Sequence, residues 1–309
     1  MKTPTPRRAA LAALAIAGAL WGLIVPLSKL SLGWLGPGWL TVARFALATP
    51  VLAIAGRRGL RGALSPRVVA AGAIGFGAVI LLQNAGIERT SVSHAAVLVG
   101  AVPVLVALIS AGMGDAVAGP LAWGGYAVAL GGVALVAGGS GSGATMLGDG
   151  LVLASAVLSA AFIVAQGRLL EGRDATAVTA VQFGAGLFVA LPFAVAGQGL
   201  PHAPASAMPL LAVAALAVLG TMLPFWLFAY GQARVPVRIA GAYVNLEPVV
   251  GAGLGWLAFG NVAAFGQVAG AVAVLVGIVV TTMAGDDSIA RLSAWAASIG
   301  RQPGSRAAR

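Results

Sequence analysis

The chain has 309 residues, of which 60% are hydrophobic and only 8% charged, and its mean hydropathy is +0.98. Apolar residues in that proportion would cover the surface of a water-soluble domain, so a soluble enzyme or nucleic-acid-binding module is excluded. The net charge of +10 is then informative through its placement along the chain, and the absence of cysteine removes disulfides and thiolate metal sites.

A basic start, Met1 to Arg8, leads into an apolar run that continues to about Pro26. That is too long for the core of a cleaved signal, and it predicts a first transmembrane helix over 9–30. Further apolar segments fall at 37–56, 68–87, 92–113, 118–138, 149–169, 175–197, 208–230, 238–259 and 263–284, which makes ten helices. Turn-forming stretches separate them, such as GRRGLRGALSP at 56–66, GGSGSGATMLGDG at 138–150 and GQGLPHAPAS at 197–206. After these, the tail over 285–309 sets Ile289, Leu292, Trp295 and Ile299 among Arg and Ser. Such a pattern suits either a short helix on anionic membrane lipid or a disordered segment.

With the N-terminus placed in the cytoplasm, 15 of the 18 Lys and Arg residues gather on its side. Lys29 and Arg89 fall on the other, and Arg44 lies inside a span. The positive-inside rule therefore predicts a multi-pass protein of a bacterial cytoplasmic membrane with both termini cytoplasmic.

The same text is written twice. AGIERTSVSHAAVLVGAVPVL at 85–105 returns as YGQARVPVRIAGAYVNLEPVV at 230–250, setting Gly86 over Gly231, Arg89 over Arg234 and Pro103 over Pro248. TVARF at 41–45 matches TAVQF at 179–183 with an offset of 138, and Gly75 matches Gly220 with an offset of 145. Asp115, Gly124 and Gly131 match Asn261, Gly270 and Gly277 at 146. These offsets describe a duplicated five-helix unit, 9–138 and 149–284. Its odd helix count makes the second copy enter the membrane from the opposite side. The fold class is accordingly an all-α integral membrane protein of ten transmembrane helices in two inverted repeats.

Trp21, Gly22 and Lys29 in the first helix, Arg44 and Phe45 in the second, and Pro103 and the Leu246-Glu247-Pro248 run in the fourth and ninth carry a resemblance. In that order they resemble the EamA family of the drug/metabolite transporter superfamily, over about residues 10–283. The resemblance implies export of amino acids, related metabolites or toxic small molecules without ATP. Gly114-Asp115 and Gly260-Asn261 depart from the Glu usual in that family. Both replacements still suit helix N-caps, but a carboxylate role at 261 is lost.

Charges within spans are the sharpest functional signs, because burying one is costly. Arg44 and Glu247 are those charges. Glu247 precedes Pro248, which removes a backbone donor and loosens the helix about one turn earlier. Glu247 is a candidate for a substrate ammonium or a coupling proton; the competing reading is a structural pair with Arg44. Tyr243, four residues back, shares its face on an α-helix, and the equivalent face of the fourth helix carries Leu98 and Val102, with His94 a turn earlier. Gln83 and Asn84 in the third helix, and Trp226 in the eighth, occupy corresponding regions of the two repeats, and Trp21, deeper in its helix, faces either the cavity as a further wall of the site or lipid. His94 is either a proton relay or an interfacial histidine, and Trp226 either a wall or part of an interfacial belt. A mixed polar and apolar lining suits an amphipathic small-molecule substrate. No cofactor or metal motif stands in the chain, nor a catalytic set, and the oligomeric state is not encoded legibly. Secondary transport is the leading reading; a passive channel or facilitator and a multidrug exporter are the alternatives.

Overall fold

The computed structural model describes residues 6–32, 34–90, 98–113, 119–137, 145–204, 206–247, 249–250 and 265–299. Among them the regular structure is helical: α1 (Pro6–Trp21), α2 (Ile24–Leu32), α3 (Pro37–Ala55), α4 (Leu60–Ala63), α5 (Pro66–Arg89), α6 (Leu98–Gly112) and α7 (Pro120–Ala137) precede the second half. There follow α8 (Met146–Leu169), α9 (Ala175–Gln198), α10 (Ala207–Gln232), α11 (Val237–Ala242) and α12 (Phe265–Ile299). Among the described residues five helices are long and apolar enough to cross a membrane, namely α3, α5, α8, α9 and α10, and α6, α7 and α12 contain shorter apolar stretches. Local chemistry sets several of the helix starts. The Asp174 carboxylate accepts from the Ala177 N–H at 2.7 Å, and the Ser65 and Thr145 hydroxyls accept likewise from Val68 and Gly148.

The expected first helix is interrupted. Pro26 has no N–H for the carbonyl of Gly22, so α1 ends in a tight turn in which Gly22 and Leu23 bond to Ala19 and Leu20, each at 3.1 Å. Its counterpart in the second repeat, α8, runs unbroken.

Equivalent helices lie against each other head to tail. In α3 and α9, a Cβ on Gly38 would stand 2.7 Å from Cα of Ala194, and one on Gly56 2.7 Å from the backbone nitrogen of Ala177. Shifting by 138 turns 38 into 176 and 56 into 194, so the two contacts are symmetry mates at opposite ends of an antiparallel pair. Helices α7 and α12 pack in the same antiparallel way. A second exchange joins α5 to α8 and α10 to α1. A Cβ on Gly86 would meet Val152 and the Gly148 carbonyl, and one on Gly231 would meet Leu14 and the Ala10 carbonyl. Each of these pairs maps onto the other with the repeat offsets. Glycine here lets backbones approach closely, which in lipid supplies the packing that hydrophobicity does not.

Candidate functional site

Between the two halves lies a cavity of about 80 Å³. Its wall is built from equivalent positions: Trp21 with Ser159, Ile24 with Phe162, Ile80 with Phe225, Gln83 with Phe228, Val99 with Val244, and Val102 with Glu247. Gly75, Val79, Ser155, Ala156 and Ile163 complete it. A site composed of pairs related by the repeat sits on the pseudo-twofold axis, equally the property of both halves.

The helices around the cavity are irregular, for reasons visible in the chain. Pro103 leaves the Val99 carbonyl without its helical donor, and α6 turns at Ala101, whose N–H reaches Leu98 instead at 3.3 Å. In the second repeat Pro248 has no donor for Val244, and α11 continues as a 3₁₀ turn over Tyr243–Asn245. Helices α5 and α10 carry π turns at Ala73–Ala78 and Val218–Met222, again at corresponding places. Such wide turns recur at functional sites.

The 3₁₀ turn changes which residues face the cavity. With three residues per turn, positions three apart align, so Val244 and not Tyr243 stands beside Glu247 on the wall. Val99 replaces Leu98 in the same way. Tyr243 packs against Val133, Val274 and Ile278 and against the cluster of Trp21, Val102 and Phe228 without lining the cavity, and Leu98 is half-buried off the wall.

Three expected residues, Trp21, Gln83 and Glu247, are brought together. Trp21 meets Phe225 edge-on and Phe228 at a tilt, each at 5.1 Å between ring centroids, and its buried indole N–H has no hydrogen-bond partner among the described residues. Glu247 and Gln83 are half-buried on the wall, with no side-chain hydrogen bond of their own among the described residues. Among the described residues the wall carries one carboxylate and no cationic side chain.

Arg44 lies behind the wall, fully buried in α3. Its Nε donates to the Thr221 hydroxyl at 2.7 Å and an Nη to the Gly220 carbonyl at 3.2 Å, both in the π turn of α10. Thr221 in turn donates to the carbonyl of Leu216 at 3.0 Å. The guanidinium and Glu247 attract each other across the interior, but no ion pair within 4.0 Å joins them. At the position equivalent to Arg44, Gln182 forms a reciprocal amide pair with Gln166, at 3.0 and 2.6 Å.

The remaining expected residues stand elsewhere. Asn84 is buried and donates to the Thr41 hydroxyl at 3.1 Å, tying α5 to α3. Trp226 donates to Thr176 at 2.8 Å, at the start of α9, and packs beside the Phe45, Phe76 and Phe183 cluster. His94, Asp115 and Asn261 lie outside the described residues. Ser155 and Ser159, which sequence reading did not single out, are polar members of the wall. The offset of 138 from Trp21 to Ser159 was the available signal.

A multi-pass helical membrane protein of two antiparallel halves around a shared cavity is the class these features define. Its sequence matches the model of the EamA-like transporter family over residues 8–138 and again over 146–283, and the chain belongs to that family. A crystal structure of a protein 21% identical shares the fold, with a TM-score of 0.79 over 91% of this chain and 99% of the other. No curated protein matches the chain.

Proposed function

We propose that this protein is a secondary active transporter that exports small amphipathic metabolites, amino acids and related compounds foremost, by alternating access. Ten helices span the bacterial cytoplasmic membrane with both termini in the cytoplasm, and Glu247 is the group on which a substrate ammonium or a coupling proton acts. One observation supports this above the others: the cavity is walled by six pairs of equivalent residues from two antiparallel halves. When such halves exchange conformations, a site on their axis is carried from one face to the other.

Counterflow in proteoliposomes tests the reading. Internal unlabelled substrate should accelerate entry of labelled substrate, because a carrier returns faster when loaded. Uptake without trans-stimulation would make the protein a facilitator and refute the proposal. Counterflow confined to lipophilic dyes would make it a multidrug exporter.

A further inference from the structure

Resting on the transporter reading but replacing its amino acids by amines as the substrate class, we infer that the cavity is a site for a small organic ammonium ion, and that compounds carrying a free carboxylate, amino acids included, are its poor ligands. Among the described residues of the wall Glu247 supplies the only charge, and its carboxylate has no hydrogen-bond partner among them. Gln83 offers a second acceptor, the oxygen of its carboxamide, with no hydrogen-bond partner among the described residues. Around them stand the rings of Trp21, Phe162, Phe225 and Phe228, whose faces attract a desolvated cation. A zwitterion would bring a carboxylate to a wall whose described residues include no cation. Arg44, buried in α3, is committed to Thr221 and Gly220 and does not line the cavity. The volume of about 80 Å³ is about half that of a cavity that takes up benzene, so the enclosed part of the ligand is a few heavy atoms.

Three compounds separate the chemistry: ethylammonium, L-alanine, which adds a carboxylate to it, and propanoate, which is alanine without the amine. Calorimetry on the purified chain in detergent at pH 7 should give ethylammonium at least tenfold tighter binding than L-alanine and no detectable heat with propanoate. Glu247→Gln should weaken ethylammonium at least tenfold and Gln83→Leu threefold or more, with unchanged thermal unfolding midpoints certifying the fold. Equal or tighter binding of L-alanine or propanoate, or absence of ethylammonium binding to the unsubstituted protein, overturns the inference. Labelled ethylammonium and L-alanine counterflow distinguishes the two levels of failure. Glu247-dependent binding of ethylammonium without counterflow leaves the site standing and sinks the transporter reading, whereas counterflow of L-alanine alone does the reverse.

Discussion

Arg44 to Gln, the residue found at the equivalent position 182, is the most informative single substitution. Arg44 makes two charge-assisted hydrogen bonds to the π turn of α10, each worth about 1.5–3 kcal/mol, and a shorter amide retains at most one, a loss of about 2 kcal/mol. The substitution also leaves Glu247 without its compensating charge. At an effective dielectric of about 20 that attraction is about 4 kcal/mol at 4 Å and about 2 at 8 Å. Since no direct ion pair forms, about 2 kcal/mol is the proper figure, and Arg44→Gln should cost about 4 in total. Glu247→Gln alone should fall within about 1 kcal/mol of neutral, because losing the attraction is offset by no longer burying a charge. In the double variant the Arg44 change should cost only about 2, a coupling of about 2 kcal/mol. Titration with SDS in dodecylmaltoside micelles, followed by tryptophan emission, measures all four corners of the cycle. Additivity to within about 0.5 kcal/mol would refute the claim that the two charges stabilise each other across the interior.

Further outcomes follow from single contacts. Gly56→Leu should destabilise the protein by about 3 kcal/mol or more in the same titration, because the new side chain strikes the Ala177 backbone, whereas Gly62→Ala, with open space around it, should stay within about 0.5. Removing the α9 cap with Asp174→Ala should cost about 1 kcal/mol. Trp226→Phe should cost about 1 kcal/mol through the lost bond to Thr176 while leaving the KM of counterflow unchanged, since this ring is off the cavity wall; a KM shift of tenfold would place it in the site.

Repeat symmetry was legible because the residues that carry it are chemically singular. Gly86 and Gly231 mark places where backbones touch, and Pro103 and Pro248 mark places where a helix loses a donor, so matching them along the chain amounted to matching contacts. The cavity was legible in part. Glu247 and Trp21 announced themselves by type, but Tyr243 and Leu98 were expected from a period of 3.6 residues, and the interruption ahead of each proline shifts the wall to Val244 and Val99. Arg44 announced its charge but not its partner, because a π turn 176 residues away leaves no periodic mark in an apolar segment. Ser155 and Ser159 were hidden among alanines, where a small hydroxyl residue equally means close helix packing.

The paired contacts of α3 and α9 have a practical consequence. Gly38 meeting Ala194 and Gly56 meeting Ala177 are the same junction realised at the two ends of one helix pair, so every lesion made at one end has a matched control at the other. A label or crosslink placed at both ends differs only in which side of the bilayer it reports. A drug or substrate that loosens one junction and tightens its twin would therefore reveal the direction of opening within a single molecule, without reference to any other protein.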